Sequence, residues 1–358
     1  MKSIKIVFVI LGTVGTFGHF RRVFTIIEEL KKLKNKKFTI VIISDQPLIF
    51  LKKYLKDNNI KLIIINKGFP HPNNGGRLKQ NYQNELSPIL IKEKPFLIVF
   101  DTFFPNDIEK INMSLEKTCR KIFISRLFNQ ESWNIFLEKK YNKLFDKVII
   151  VEKNGQKNLD NIYFFSNLIR DLDKNKISLI KRKYQIKKDN LVILFSCGGG
   201  GFQEGEKMIN IFTLVAKKLI KNFLKIKPII ITGPFYKGTK LNLKDKKIII
   251  NQFEEDMLEL MFCSDLIISE AGYNSVKEIC FLNKPSIFIP VTRPGENQLD
   301  RIKKETSDNR SILIDWQDKT SWDKVLKYFL KNNKLLSTKN KSCQMKDNKE
   351  IIKEIISL

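Results

Sequence analysis

Residues 4–30 read IKIVFVILGTVGTFGHFRRVFTIIEEL, and this stretch decides the fold class. Ile4–Leu11 is an unbroken apolar run of strand length. Gly12, Gly15 and Gly18 then make a glycine-rich turn, and Phe20, Val23, Phe24, Ile27 and Leu30 recur at helical spacing among charged residues. A strand apolar on both faces, a glycine turn and an amphipathic helix form the opening unit of a parallel α/β sheet.

The same grammar runs outward from this unit. Strands are predicted at Phe38–Ser44, Ile60–Asn66, Phe96–Asp101, Lys121–Ser125 and Lys147–Val151, with a helix after Pro47. Gly68–Ser87 carries Pro70, Pro72, Gly75 and Gly76 and reads as a long loop. The pattern restarts at Leu191–Ser196, followed by four glycines and a helix from about Glu206 to Asn222. Further strands are predicted at Pro228–Thr232, Lys247–Asn251, Leu266–Ser269, Ser286–Pro290 and Ile312–Ile314. The chain therefore reads as α/β, with two facing Rossmann-like domains, each a mostly parallel doubly wound sheet. Residues 1–168 make the first domain, 169–189 a Lys-rich connector, 190–335 the second domain and 336–358 a tail. Within the tail Ile351–Leu358 suggests a short amphipathic helix.

Composition narrows the classes. With 358 residues and 42% hydrophobic content the chain is too long and too apolar for a disulfide scaffold or a disordered chain. The net charge is +27, yet only ten of the 65 basic residues are Arg and the lysines are spread along the whole chain. That pattern reads as a solvated basic surface and not as one nucleic-acid stripe. Five cysteines without CxxC spacing and only two histidines, His19 and His71, argue against a zinc site and for reduced thiols in a cytoplasmic setting. No run approaches the ~18 apolar residues of a membrane span.

Four segments carry candidate chemistry. In the first, GTVGTFGHFRR at 12–22, a glycine turn brings free amides and a helix N-terminus to the sheet edge, and His19 is placed to take a proton from a hydroxyl. A plain helix-capping role is the alternative for that histidine. Cys197–Gly205 (CGGGGFQEG) suits an anion-binding nest at Gly198, Gly199, Gly200 and Gly201, or else a flexible turn. In Ser269–Glu278 (SEAGYNSVKE), Gly272 allows a tight turn, Asn274 and Ser275 cap the helix, and Glu278 one turn on can accept from both hydroxyls of a ribose. In Pro290–Arg301 (PVTRPGENQLDR), Glu296, Asn297 and Gln298 suit sugar hydroxyls. The alternative for these last two is an ordinary capped helix.

Taken together the four segments resemble the GT-B glycosyltransferases, specifically MurG-like enzymes and a related group of predicted bacterial glycosyltransferases. The resemblance rests on GTFGHFRR at 15–22, SNLIR at 166–170, the glycine run at 198–201, TGPF at 232–235, AGYNSVKE at 271–278 and RPGENQLDR at 293–301. It implies a nucleotide-diphosphate-sugar donor, UDP-linked in the first instance and a UDP-N-acetylhexosamine among the options, held by the second domain. Arg170 and the Gly198–Gly201 backbone would face the diphosphate, the helix after Gly272 would add its dipole, and Glu278 would hold the ribose. The acceptor would lie on the first domain against Gly15, Thr16, Gly18 and Arg21, with His19 as base and Asp101 as its rival. No metal or other cofactor is implied, and the Asp171-Leu172-Asp173 triplet reads as solvated charge in the connector.

The acceptor is left open; a lipid-linked hydroxyl reached from the inner face of an anionic membrane fits the basic surface. Two rival readings stand beside this one: a nucleotide-sugar epimerase or hydrolase on the same fold, and a non-enzymatic basic protein binding membrane or nucleic acid. No specific nucleic acid is expected as a partner.

Overall fold

The structure, a computed structural model, describes residues 3–12, 17–65, 76–152, 157–201, 205–238, 247–291, 298–305, 311–313, 322 and 346–357. The first half runs β1 (Ile4–Ile10), α1 (Gly18–Lys31), β2 (Phe38–Ser44), α2 (Lys52–Asp57), β3 (Ile60–Ile64) and α3 (Gln83–Glu93). It continues through β4 (Leu97–Asp101), α4 (Ile108–Met113), β5 (Arg120–Ser125), α5 (Gln130–Glu138), β6 (Lys147–Ile150) and β7 (Ile162–Phe164). After α6 (Lys174–Lys183) come β8 (Leu191–Ser196), α7 (Gly205–Asn222), β9 (Ile226–Ile231), β10 (Ile249–Asn251), α8 (Met257–Cys263) and β11 (Leu266–Glu270). Last are α9 (Tyr273–Phe281), β12 (Ser286–Ile289), α10 (Gln298–Glu305), β13 (Ser311–Leu313) and α11 (Asn348–Ile356).

The strands form two sheets, ordered β3-β2-β1-β4-β5-β6-β7 and β10-β9-β8-β11-β12-β13. Every pairing is parallel. Strand order reverses beside β1 in one sheet and β8 in the other, so each has its crevice between the first strand and its later neighbour, β4 or β11. Gly12 lies just past the end of β1, and Gly198–Gly201 follow the end of β8, at those points.

Both sheets are covered on both faces, which is why their strands read as continuous apolar runs. On β1, Ile6, Phe8 and Ile10 enter one core, and Val7 and Val9 enter the opposite one. On β8, Ile193 and Phe195 face one way, and Val192 and Leu194 the other. The expected α/β class holds, and most predicted strands lie within a residue or two of the observed ones.

Some expectations need correction. The long loop expected at 68–87 ends earlier, because Gln83–Ser87 opens α3; Pro88 inside that helix hid its periodicity. The Lys-rich connector carries a helix, α6, which buries Ile180 in a core of the second sheet, joined there by Tyr184 just beyond the helix. Its acidic triplet is solvated charge as expected, with added contacts: Asp171, 62% exposed, takes Lys32 and Lys346, and Asp173 caps α6 by accepting from the Asn175 amide at 2.9 Å. The tail helix exists as α11, and it returns to the first sheet. Ile351, Ile352 and Ile355 join the core beside α1, and Asn348 Nδ2 donates to Glu29 at 2.9 Å and to the Ile169 carbonyl at 2.7 Å. Among the described residues no helix is long and apolar enough to cross a membrane.

Candidate functional site

The site begins where β4 ends. Asp101 is fully buried at the carboxyl end of that strand. Thr102 follows with φ +62, a left-handed conformation that a β-branched residue rarely adopts, and the Phe103 amide closes back on the Asp101 carbonyl at 2.7 Å. This sharp turn presents the Asp101 carboxylate and the Thr102 hydroxyl to the first turn of α1. Arg22 answers with a fork: Nε donates to Asp101 Oδ2 and Nη2 to Oδ1, both at 2.7 Å, and Nη2 also reaches Thr102 Oγ1. His19 Nδ1 lies 2.8 Å from Asp101 Oδ1.

The electrostatics assign the protons. Burial alone would raise the Asp101 carboxyl, but Arg22 and His19 hold it below the usual carboxylate range. It is therefore an ionised acceptor, so the hydrogen on His19 sits on Nδ1 and Nε2 keeps its lone pair. Burial pushes the His19 imidazole below its ordinary value, against the pull of Asp101 and with help from Arg22 and Arg126. The ring is neutral at physiological pH, and with 15% of its side chain exposed it is not sealed off. His19 and Asp101, rivals for one role in the sequence, are thus hydrogen-bonded partners with different capacities. Both Asp101 oxygens are engaged, and only the imidazole has an acceptor to offer. Arg22, which sequence reasoning did not place in the site, is the missing third member. Its signal is the His-x-x-Arg spacing, which puts both residues on one stripe of α1.

The second domain meets this turn head-on. Gly272 caps α9, and Asn274 Nδ2 in the first turn of that helix donates to the Gly18 carbonyl at 2.8 Å. The start of α1 and the start of α9 are therefore in direct contact. Tyr273 donates its hydroxyl to the Val151 carbonyl, and Arg301 lies over the Tyr273 ring and reaches Glu152 at 3.3 Å. Gly272 itself has φ −63, and a Cβ there would meet nothing within 4 Å. The turn does not require glycine; what the residue leaves is open space over a helix N-terminus. Ser275 is half-buried on the same helix.

The glycine run after β8 is built differently. Gly198 and Gly200 have φ +58 and +73, and a Cβ on Gly200 would stand 2.1 Å from the Thr232 carbonyl oxygen. Gly233, at φ +99, crosses Gly199 and Gly200 from the other side, and Phe235 N donates to the Gly199 carbonyl at 3.0 Å. The run and the Thr232–Phe235 segment interlock, and Gly200 is required by that crossing. Two amides turn inward, Gly200 to the Cys197 carbonyl at 3.1 Å and Gly198 to Ser196 Oγ at 3.4 Å. Those of Gly199 and Gly201 make no hydrogen bond among the described residues.

Between the halves lies a shallow recess bordered by Phe17, Arg21, Tyr54, Arg170, Phe253 and Glu255. Phe17 meets Phe253 edge-on at 5.4 Å, and Phe50 lies 4.9 Å from Phe253. Arg170 pairs with the buried Glu259 through Nη2, while its Nε has no hydrogen-bond partner among the described residues. Glu278 is buried one turn into α9, 3.3 Å from Arg21 Nε. Arg21, expected on the acceptor side, belongs to α1 but extends its guanidinium to the opposite domain. Gln298 opens α10 and accepts from the Val291 amide at 2.9 Å. Gly15, Thr16, Glu296 and Asn297 lie outside the described residues. The structure thus gathers His19, Asp101, Gly18, Arg21, Asn274 and Glu278 at one seam, with Arg170 on the recess behind it.

Residues 192–355 match the glycosyltransferase family 28 C-terminal domain. Over 95% of the chain and 92% of the relative, the sequence is 24% identical to a UDP-N-acetylglucosamine--N-acetylmuramyl-(pentapeptide) pyrophosphoryl-undecaprenol N-acetylglucosamine transferase of Finegoldia magna. Two solved structures share the fold. Acinetobacter baumannii MurG superposes with a TM-score of 0.56 at 14% identity, covering 99% of this chain and all of that one. The Staphylococcus aureus MnaA–UDP structure superposes with a TM-score of 0.64 at 16% identity, covering 98% and 96%.

Proposed function

We propose that this chain, a MurG-like glycosyltransferase of the GT-B fold, transfers N-acetylglucosamine from UDP-N-acetylglucosamine to a hydroxyl of a lipid-linked acceptor, working as a cytoplasmic enzyme at the inner face of the membrane. The observation that carries this is the 2.8 Å contact between Gly18 and Asn274. It sets a neutral imidazole with a free acceptor nitrogen beside the open N-terminus of α9, which is what a base and a departing diphosphate require of one another.

In this reading His19 Nε2 takes the proton of the acceptor hydroxyl. The acceptor oxygen forms a bond to the sugar's anomeric carbon, and the bond from that carbon to the diphosphate oxygen breaks. The electron pair leaves with UDP. The α9 N-terminus, the amides of Gly199 and Gly201 and the Arg170 guanidinium meet that negative charge. Asp101 and Arg22 hold the imidazole in the tautomer the step needs. Glu278 accepts from the ribose hydroxyls, and Gln298, with Glu296 and Asn297 before it, faces the sugar.

A thermal-shift panel of UDP-, GDP-, dTDP- and CMP-sugars, with and without EDTA, tests the donor half. A rise in Tm with the UDP-sugar, indifferent to EDTA and lost in Glu278→Ala, is expected. No rise with any donor, for a chain that melts cooperatively, overturns the assignment. Product analysis tests the other half: UDP released only when acceptor is added marks a transferase, whereas a sugar epimerised or hydrolysed without acceptor marks one of the rivals.

A further inference from the structure

The Arg21 side chain has a use that neither the family match nor the reaction accounts for. It lies on α1, part of the first domain, yet its polar contacts across the seam are all with the second. Nε donates to Glu278 Oε1 at 3.3 Å and Nη1 to the Glu255 carbonyl at 3.2 Å. Glu278 has 9% of its side chain exposed, and Arg21 is the guanidinium set against it. A single guanidinium nitrogen occupies one of its oxygens from one side, and a carboxylate offers about four lone-pair directions.

We infer that Arg21 is a positioning residue for the donor, supplied by the opposite domain: it fixes the Glu278 carboxylate and the 253–256 loop in the geometry that receives the ribose hydroxyls. The inference rests on the ribose role of Glu278. Its consequence is that the donor site is complete only while the two domains are together. Phe17, on the same helix end, packs on Phe253 of the same loop, so the tie has an apolar counterpart. His19 stands two residues before Arg21, so the helix turn that senses the donor also carries the imidazole.

The test is a double-mutant cycle on UDP affinity, read by titration calorimetry with wild type, Arg21→Ala, Glu278→Gln and the double variant. Arg21→Ala should weaken UDP binding roughly tenfold, the scale of one charge-assisted hydrogen bond. Adding it to Glu278→Gln should weaken binding by less than about twofold more, because the side chain it positions is already altered. Arg21→Lys should recover most of the loss, since an ammonium can still reach one carboxylate oxygen. In steady state the defect should appear in the donor KM and leave kcat within about twofold. Wild-type affinity in Arg21→Ala overturns the inference, as does a full tenfold loss in the Glu278→Gln background, which would mean that Arg21 touches the nucleotide itself. A wild-type chain that binds no UDP overturns the donor reading and this inference with it. Ligand-free melting curves of each variant check that it folds.

Discussion

Replacing Asp101 by Asn separates the two things that carboxylate does. Four contacts converge on it: Arg22 Nε and Nη2 at 2.7 Å each, His19 Nδ1 at 2.8 Å and the Thr102 hydroxyl at 3.1 Å. Asn keeps the volume but offers one carbonyl oxygen and turns an NH2 toward groups that are themselves donors. Arg22 is 4% exposed, and it then holds an uncompensated charge. Breaking a buried pair in this way costs about 3–5 kcal/mol. For a unit of this size that is a fall in Tm of about 6–20 °C. The second effect is on protons. An amide N–H aimed at Nδ1 forces the hydrogen of His19 onto Nε2, which removes the acceptor nitrogen that the proposed base role needs. The rate should drop by about 10²–10⁴. The assay is acceptor-dependent UDP release, run well below the variant's Tm, with UDP affinity measured in parallel and expected to be unchanged. His19→Gln should show a similar loss, and the double variant should be slower than either by no more than about twofold, since the two act as one unit. A folded Asp101→Asn protein with full rate, or losses that multiply, would refute the dyad.

Other outcomes follow from the same geometry. Because burial and the neighbouring arginines depress the His19 pKa, the base form persists in mild acid; kcat/KM should stay level through pH 6.5 and fall only below it, and a limb centred above 6.5 would contradict the assignment. Asp101, held below its unfolded value of 3.8, adds stability that is complete above that value and is lost as pH falls through its lower folded pKa. Acid unfolding followed by circular dichroism should therefore show a limb below pH 3.8 that is weaker in Asp101→Asn, and parallel curves would count against it. Gly200→Ala, whose Cβ meets the Thr232 carbonyl at 2.1 Å, should lose several kcal/mol or fail to fold. Gly272→Ala should keep the ligand-free Tm within about 2 °C, since its Cβ meets nothing within 4 Å, and yet raise the donor KM by standing over the helix N-terminus proposed for the diphosphate; an unchanged KM would show that no donor group sits there.

How much of this was legible in the sequence depends on whether the signal was local. β1, β2 and β8 announce themselves because a strand buried on both faces must be apolar at every position. The α3 helix did not, since Pro88 and a polar first turn erase the 3.6-residue period. At the site, His19, Asp101 and Glu278 were each visible as residues able to do chemistry at a strand or helix end. Their relation was not: the His19–Asp101 bond joins positions 82 apart and the Arg21–Glu278 pair positions 257 apart. Arginine placement misled in an instructive way. Arg22 and Arg301, inside motif segments, spend contacts on carboxylates of the protein, Arg22 as a fork on Asp101 and Arg301 through Nε on Glu152, whereas Arg170 meets Glu259 through Nη2 alone. Likewise Gly200 looked like an anion cradle and proved to be the point where two loops cross.

The first turn of α1 shows why the GHFRR segment is written as it is. Residues three apart lie on one stripe of a helix, and adjacent residues are rotated by ~100°. His19 and Arg22 share the stripe that faces Asp101 in their own sheet. Gly18 and Arg21 share the next stripe, which faces Asn274, Glu278 and Glu255 of the other. Phe17 and Phe20, ahead of and between them, are stacked apolar neighbours that anchor the turn. One and a half turns of helix thus serve two domains with alternate residues. A one-residue insertion before Gly18 would leave both stripes intact, whereas one between His19 and Arg21 would rotate the imidazole away from Asp101 and the Gly18 carbonyl away from Asn274 while leaving Arg21 on Glu278. Such an insertion should abolish transfer and keep UDP binding near wild type, and loss of both together would mean that the turn does not divide its work in this way.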